Sequence, residues 1–243
     1  MVLKKWEDLP ERMRTDAVKK YYEILQKKKI SLFLKRLFDV SAAVFLLIVL
    51  LPVFLALAVA IKMDSNGPVF YRQVRVTQYG RKFRIHKFRS MIEKADRKGT
   101  LVTVDEDNRI TKVGRLIRRK RLDELPQLID VLQGNMTFVG VRPEVPEYVK
   151  RYTPEMMATL LLPAGITSLA SVYYQNEAEL LKKTEDAERI YLDRILPEKM
   201  KLNLKEIKEY GFWKDIGIMF MTVFSVFGRR NEAGSKKNEH ITD

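Results

Sequence analysis

A stretch of 22 residues without a charged side chain, from Val40 to Ile61, limits most strongly what this chain can fold into. It reads VSAAVFLLIVLLPVFLALAVAI. At 1.5 Å of rise per residue, a straight helix of this length would reach roughly 33 Å, against about 30 Å for the hydrocarbon core of a bilayer. A signal peptide is disfavoured, because the stretch begins only at Val40, follows a charged leader and shows no small-residue cleavage site.

Pro52 and the charges on both sides of this stretch indicate that the helix is bent. Pro52 lies near the middle, where proline removes one backbone hydrogen bond and kinks a helix. Both flanks are basic, with Lys27, Lys28, Lys29, Lys35 and Arg36 before the stretch and Lys62, Arg72, Arg75, Arg81, Lys82, Arg84, Lys87 and Arg89 after it. Positive residues favour the cytoplasmic side of a membrane, so both flanks are expected on the same side.

Three arrangements are open for this helix. The charges favour a re-entrant helix bent at Pro52 over a single spanning helix, and a buried helix of a soluble protein is the third alternative. In the bent form the carbonyl near Ile48 loses its partner, which is a cost in an apolar environment. The chain is divided accordingly into a charged amphipathic leader (1–34), a re-entrant membrane helix (35–62), a main domain ending in an interfacial helix (63–230) and a disordered tail (231–243).

The leader carries an apolar face whose destination is open. It consists of Val18, Tyr21, Tyr22 and Leu25, with lysines elsewhere around the helix. Such a helix either lies on anionic lipid or docks on the rest of the protein.

The main domain is expected to be small and of the α/β (α+β) class. Two runs, 69–76 and 82–88, alternate apolar and polar residues around a turn at 78–80, which predicts a β-hairpin. TFV at 137–139 reads as a short strand, and LLPAGITSLASVYY as a turn and a strand. The apolar stretch 211–228 is expected to be a helix, and Trp213 at its start favours an interfacial place over a core one.

Another helix is predicted from Thr111, with Val113, Leu116 and Ile117 on its apolar face. It should stop near Pro126, because the residue before a proline avoids the helical region, and then restart until Gly134. The break carries two adjacent carboxylates, Asp123 and Glu124, within RRKRLDELPQL.

Asp123 and Glu124 are better placed for two separate chemical roles than for one shared role. Adjacent residues on a helix point about 100° apart. A glycosidase pair would have to flank a bond across roughly 5 to 9.5 Å. One carboxylate could instead attack a phosphorus, while the other holds Mg²⁺, which takes carboxylate and phosphate oxygens together. The plainer reading is that the pair caps a helix and neutralises its basic neighbours.

Phosphate binding at this break has two expected sources. The restarted helix after Pro126 should direct free N–H groups and the positive end of its dipole at the spot. Arg118 and Arg142 could clamp phosphate oxygens with two hydrogen bonds each. Lys87 taken alone in a hairpin would ordinarily be a solvated side chain, and His86 alone gives little reason to expect catalysis.

Composition narrows the classes of partner. The chain has no cysteine, so disulfides and thiolate metal sites are excluded, and two histidines make a zinc site unlikely to form. A net charge of +14 indicates a polyanionic partner: nucleic acid, an anionic membrane or a phosphorylated substrate.

Taken together, these segments resemble the bacterial sugar transferase family, the monotopic polyprenyl-phosphate hexose-1-phosphate or phosphoglycosyl transferases. The resemblance runs from about Lys35 to at least Ser171. The residues that carry it are KRLFDVSAAVFLLIVLLPVFLALAVAIKMDSNGPVFYRQVRVTQYGRKFRIHKFRSM, DNRITKVGRLIRRKRLDELPQLIDVLQGNMTFVGVRPE and LLPAGITSLASV. Val141 stands where the family commonly has proline, and His86 where it usually has tyrosine, which leaves the sugar open.

The resemblance implies a reaction and a place for it. A UDP-sugar would give its phosphosugar to Asp123 and release UMP, and polyprenyl (undecaprenyl) phosphate would then take the phosphosugar. Glu124, beside Asp123, would help to hold Mg²⁺, and Lys87, Arg118 and Arg142 would line the phosphate site. The implied location is the cytoplasmic face of the bacterial inner membrane, with membrane lipid as a further partner, no nucleic acid, and the product serving surface polysaccharide assembly. A homodimer is compatible with the residues.

Two other functions compete with this one. A membrane-tethered nucleic-acid-binding protein could use the basic hairpin and the arginine-rich helix, and its binding would tolerate Asp123→Asn and weaken steeply with salt. A catalytically inactive scaffold for glycan enzymes is the other alternative, and the intact Asp-Glu pair weighs against it.

Overall fold

The computed structural model describes residues 3–92, 109–175, 177 and 187–228. Residues 93–108 and the tail predicted at 231–243 lie outside the described residues. Helices and short strands alternate in a small mixed domain, as the α/β (α+β) class predicted. The helices are α1 (Asp16–Gln26), α2 (Lys29–Val49), α3 (Leu51–Asp64), α4 (Lys112–Arg119), α5 (Gln127–Leu132), α6 (Pro146–Val149), α7 (Leu169–Tyr173), α8 (Ala187–Ile190), α9 (Leu196–Lys208) and α10 (Phe212–Gly228). The strands are β1 (Phe70–Val76), β2 (Lys82–Phe88), β3 (Met136–Val139) and β4 (Ala164–Thr167).

The predicted hairpin is present, and its register fixes which side chains share a face. β1 and β2 are antiparallel, with Tyr71 opposite Lys87 and Arg75 opposite Phe83. Side chains of directly opposed residues lie on the same face of a sheet. The tight connection is made by Tyr79 and Gly80, both with positive φ (59° and 76°).

β3 and β4 form a separate parallel pair, in which Met136 lies opposite Ala164. Gly165 approaches Gly140 so closely that a Cβ on Gly165 would come within 2.2 Å of its backbone. This approach requires glycine at position 165. The sequence prediction of turn and strand for 161–174 was right for β4 and wrong for 169–173, which forms α7. The Ser168 hydroxyl caps this helix by accepting a hydrogen bond from the Ser171 N–H.

The leader helix α1 docks on the protein through the apolar face expected of it. Val18 and Leu25 are fully buried, and Tyr21 and Tyr22 nearly so. They share a core with apolar residues of 145–162 and 191–210. The Tyr21 hydroxyl donates to Glu155 Oε1 at 2.7 Å. Of the two destinations open to this face, the structure therefore shows docking.

The uncharged stretch forms two helices bent by 61°, with the break at Leu50 and Pro52 in the first turn of α3. Proline is tolerated there because its missing N–H would have no partner within the helix. None of the described helices alone is long and apolar enough to cross a membrane, whereas α2 and α3 pass that test as a bent pair, by length and composition only. Their outer surface is apolar, with Phe45, Ile48, Leu55 and Val59 all about 60% exposed or more.

Two charged residues of α2, Lys35 and Asp39, are buried and bonded to the rest of the domain, which fixes the position of α2. Lys35 pairs with Asp215 of α10 at 2.5 Å, and both side chains are less than a tenth exposed. Asp39 accepts from the Thr137 hydroxyl at 2.5 Å and from the Phe138 N–H at 3.3 Å. Buried charges need such partners, because an unpaired one is very costly in an apolar interior. The first half of the bent pair is thus held against β3 and α10.

Arg36 links α2 to the helix that follows the Asp-Glu pair. Its guanidinium donates to the carbonyls of Val131 (2.7 Å) and Leu132 (3.0 Å), at the C-terminal end of α5. A cation there satisfies free carbonyls and complements the negative end of the helix dipole. The apolar bent pair is therefore tied, through Arg36, to the segment that carries Asp123 and Glu124.

Candidate active site around Asp123 and Glu124

The Asp-Glu pair occupies a single 3₁₀ turn, Leu122–Glu124, between α4 and α5. Arg121 precedes it with a left-handed backbone (φ 53°), a conformation that costs a non-glycine residue roughly 1 kcal/mol or more. On either side of the pair, Leu122 and Leu125 pack against an apolar cluster formed by Ile61, Phe88 and Ile117. These contacts offset the cost of the turn and anchor it on both sides of the two carboxylates.

Glu124 is held by two cations. Lys87 of β2 donates to its Oε1 at 3.2 Å. Arg142, which follows β3, donates to both carboxylate oxygens, through Nη2 to Oε1 and through Nη1 to Oε2 (3.4 Å). Burial alone would raise the pKa of Glu124, but the charges of Arg142 and Lys87 outweigh it and hold that pKa well below its ordinary value. Glu124 is therefore an ionised, immobilised carboxylate.

Asp123 has the opposite environment. No other described residue forms a hydrogen bond or an ion pair with its carboxylate, which accepts from its own backbone N–H. Burial raises its pKa, and the neighbouring charge of Glu124 raises it further, while Lys87 and Arg118 partly offset both effects. A carboxylate that no other residue holds keeps lone pairs available, which is what a nucleophile requires.

The sequence-predicted residues therefore come together, in two groups. Lys87 and Arg142 contact Glu124 directly, and Arg118, in the last turn of α4, lies close enough to Asp123 to lower its pKa. Pro52 lies elsewhere, at the bend of the helix pair. The functional roles assigned to these residues stay predictions.

One expected feature of the site is wrong. The restarted helix was expected to offer free N–H groups to phosphate, but those of Leu128 and Ile129 already bond the carbonyls of Leu125 and Pro126, at 3.1 and 3.0 Å. The cause is that Leu125 and Pro126 have helical backbone, so the chain runs into α5 without a clean break and their carbonyls accept these bonds. These two N–H groups are therefore unavailable to an anion, and cationic side chains are left as its main partners.

Sequence reasoning missed a second layer behind Arg142. Arg75 donates to the Pro143 carbonyl at 3.2 Å, and the Tyr191 hydroxyl donates to Glu144 Oε1 at 2.5 Å. Glu144 is 7% exposed and Tyr191 5%. Strand alternation could have placed Arg75 on the face of Lys87, whereas nothing local in the sequence indicates the contact between Tyr191 and Glu144.

His86 proves to be structural. Its ring Nδ1 lies 2.9 Å from Asp130 Oδ1, and its backbone N–H donates to the other oxygen of the same carboxylate at 2.8 Å. Asp130 is fully buried. The pair ties β2 to α5, and so holds the strand of Lys87 beside the turn of Glu124.

A magnesium ion fits the chemistry of Asp123 and Glu124, within limits that the donor set imposes. Among the described residues, no group of three or more acidic, histidine or cysteine side chains is placed to hold a metal ion. Mg²⁺ does not require one, because it is commonly bound by one or two carboxylates together with substrate phosphates and water. The two adjacent carboxylates supply that part of a shell, with Asp123 open and Glu124 shared with two cations.

Comparison with known proteins gives the same family as the sequence motifs. The family model described as bacterial sugar transferase matches residues 30–229. A UDP-N-acetylgalactosamine-undecaprenyl-phosphate N-acetylgalactosaminephosphotransferase of Aeromonas hydrophila is 37% identical over 204 residues, which are 82% of this chain and 45% of that protein. A UDP-glucose:undecaprenyl-phosphate glucose-1-phosphate transferase of Escherichia coli is 35% identical, over 80% of this chain and 40% of that protein.

A third relative matches the chain over nearly its whole length. It is the uncharacterized sugar transferase EpsL of Bacillus subtilis, 33% identical over 211 residues, 87% of this chain and 94% of that protein. The chain thus spans less than half the length of the Aeromonas and Escherichia relatives, and aligns with almost all of the Bacillus one. With the family model covering residues 30–229, this chain belongs to the bacterial sugar transferase family.

Proposed function

We propose that this chain transfers a phosphosugar from a UDP-sugar to undecaprenyl phosphate and releases UMP. The two relatives with named activities carry out reactions of this kind, with different sugars. The single observation that carries the proposal is the contrast within the Asp-Glu pair: Glu124 is fixed by Lys87 and Arg142, while no other described residue bonds the carboxylate of Asp123.

The proposed reaction has two displacements at one phosphorus. In the first, an Asp123 oxygen attacks the phosphorus that bears the sugar, the bond to the bridging oxygen breaks, and UMP leaves with that oxygen. The enzyme then holds an aspartyl phosphosugar, which is a mixed anhydride. In the second, an oxygen of the lipid phosphate attacks the same phosphorus and the Asp123 carboxylate leaves, regenerating the enzyme and giving a diphosphate-linked sugar.

The cations of the site would act on phosphate charge. Arg142 and Lys87 already neutralise Glu124 and can donate to phosphate oxygens, and Arg118 faces Asp123 from α4. Fixed cations in a partly buried site stabilise the charge that builds up on a transferring phosphoryl group. Mg²⁺, held by Glu124 and Asp123 with the donor's phosphates, would supply further neutralisation of that charge.

In this proposal the site lies at the membrane, and the bent helix pair supports that location. α2 and α3 expose an apolar outer surface, and so does α10, where Trp213 is 80% and Phe224 72% exposed. A lipid phosphate cannot leave the headgroup region, so a shallow re-entrant insertion on the cytoplasmic face of the bacterial inner membrane keeps the dyad at its depth. The product would then enter surface polysaccharide or glycoconjugate assembly, and the same apolar faces allow a homodimer.

The reaction is tested by product release. Detergent-solubilised protein is incubated with Mg²⁺, undecaprenyl phosphate and a panel of UDP-sugars, and UMP is measured. We expect UMP from at least one sugar, in an amount that rises with the lipid acceptor. Release of UMP from none of the panel would refute the proposal.

The re-entrant arrangement makes its own prediction. The chain has no cysteine, so single cysteines can be placed on the two flanks by Lys28→Cys and Met63→Cys, both at exposed positions. In inverted membrane vesicles, an impermeant maleimide should label both variants from the cytoplasmic side, because α2 and α3 enter and leave through one surface. Labelling from opposite sides would restore the spanning helix.

A further inference from the structure

The face of the hairpin that carries Lys87 also carries Arg75. In the antiparallel register Tyr71 lies opposite Lys87, and Arg75 follows Tyr71 on the same face of β1 two alternations later. Arg72 and Val74, on the other face, are exposed, whereas Arg75 is half-buried. Arg75 therefore looks inward, toward the side of the sheet where Glu124 and Arg142 lie.

Arg75 bonds the segment that begins with Arg142. Its Nη1 donates to the Pro143 carbonyl at 3.2 Å. Its Nε and Nη2 both donate to Gln73 Oε1, at 3.1 and 2.6 Å, and these two bonds fix the plane of the guanidinium. One residue further along β1, the Val76 N–H donates to the Glu144 carbonyl at 3.0 Å. The segment 142–144 is thus attached to β1 at two points.

The charged groups around Arg75 act on its guanidinium without forming an ion pair with it. Burial lowers the pKa of Arg75, and Glu144 opposes that effect. No carboxylate among the described residues lies within ion-pair distance of Arg75. Glu144 is instead held by the Tyr191 hydroxyl at 2.5 Å, where its charge also adds to that of Glu124 in raising the pKa of Arg142. The negative charge of Glu144 raises the pKa of both arginines and so offsets their mutual repulsion.

We propose that Arg75 is a positioning residue for Arg142: by bonding the Pro143 carbonyl from the strand face of Lys87, it sets the distance between the two cations that meet at Glu124. The proposal rests on the proposed function, since it assigns Arg142 to the phosphates of the nucleotide donor. Arg75 itself is not required to touch the donor. A planar fork with several donors can bond Gln73 and Pro143 at once, which a lysine ammonium cannot do in the same plane.

A double-mutant cycle tests this assignment. UDP with Mg²⁺ is titrated by calorimetry into wild-type protein, Arg75→Gln, Arg142→Gln and the double variant. We expect each single variant to weaken UDP binding, Arg142→Gln by about 30-fold and Arg75→Gln by about 10-fold. If Arg75 acts only through Arg142, the double variant binds like Arg142→Gln within about 2-fold, because coupled residues are not additive. Multiplied effects would overturn the proposal.

Three further variants separate positioning from other roles. Arg72→Gln is the matched control: it removes one arginine from the exposed face of the same strand, where the Arg72 guanidinium donates to the Arg84 carbonyl. Arg72→Gln is expected to bind UDP with wild-type affinity. Wild-type affinity for UDP in Arg75→Gln would overturn the proposal. Arg75→Lys keeps the charge and loses the fork, so it should behave like Arg75→Gln, whereas retained affinity would show a purely Coulombic role. Gln73→Met, which leaves both arginines in place, should weaken binding by about 3-fold.

The readouts keep this inference apart from the proposed function. Melting temperature is measured for every variant, and a role confined to folding would lower it without changing UDP affinity in the folded protein. If wild-type protein binds UDP but releases no UMP from any UDP-sugar, the proposed reaction fails while the cycle still judges the coupling of Arg75 to Arg142. If wild-type protein does not bind UDP at all, both fail.

Discussion

Asp123→Asn is expected to abolish UMP release, by at least about 1,000-fold, and to leave the folded protein at least as stable as wild type. Asparagine has nearly the shape of aspartate but is a poor nucleophile, so the first displacement stops. The stability follows from the raised pKa of Asp123, which reflects burial and the neighbouring charge of Glu124. A raised carboxyl pKa means that ionisation destabilises the folded state above that pKa, and asparagine removes this cost.

Two assays decide this prediction. UMP release is measured with the best UDP-sugar, and the melting temperature is measured in the same detergent at pH 7.5. Arg72→Gln, which alters an exposed residue away from the site, serves as the control for handling and should retain activity. Activity in Asp123→Asn near that of wild type would reject Asp123 as the nucleophile and would favour a binding or scaffold function.

Glu124→Gln should act in the opposite direction on stability. It removes the charge that pairs with Lys87 and Arg142, and leaves two partly buried cations facing a neutral amide. Because the Glu124 side chain is 14% exposed, the loss should fall between that of surface and fully buried pairs, about 1–3 kcal/mol. UMP release should also fall by about 100-fold or more, since a fixed charged group is lost next to the reacting phosphorus.

The dependence of folding stability on pH tests the same ion pairs of Glu124. The pKa of Glu124 is lower in the folded than in the unfolded protein, so its contribution to stability is complete above its unfolded pKa and is lost as the pH falls toward the folded one. In thermal melts from pH 7.5 down to about pH 2, a range that extends well below the ordinary pKa of a glutamate, wild type should therefore lose more stability toward acid than Glu124→Gln does. Parallel curves for the two proteins would contradict the ion pair seen here.

Local pattern was enough to predict the elements that carry the chemistry. Strand alternation placed Lys87 on a hairpin, and Pro126 marked the break that presents Asp123 and Glu124. The break at Pro52 was likewise predicted, because proline removes a backbone hydrogen bond and the two basic flanks favour the same side of a membrane. Each of these conclusions needs only residues close together in the chain, where propensities and steric rules act directly.

Contacts between distant segments could not be predicted in this way. Arg75 meets Pro143 and Tyr191 meets Glu144 across separations of 68 and 47 residues, so neither contact leaves a local pattern. The docking of α1 depended on whether a complementary apolar surface exists elsewhere, which its own sequence cannot say. The error over the N–H groups after Pro126 arose because Leu125 and Pro126 themselves have helical backbone, so their carbonyls accept from Leu128 and Ile129.

The covalent link between Asp123 and the sugar phosphate is tested most directly by mass spectrometry. Protein is mixed with Mg²⁺ and the active UDP-sugar in the absence of undecaprenyl phosphate, quenched, digested and analysed for the peptide around residue 123. We predict one added phosphosugar mass on that peptide in wild type, none in Asp123→Asn, and its disappearance when undecaprenyl phosphate is supplied before quenching. An active enzyme whose peptide never carries the adduct, or an adduct that persists in Asp123→Asn, would contradict the mechanism.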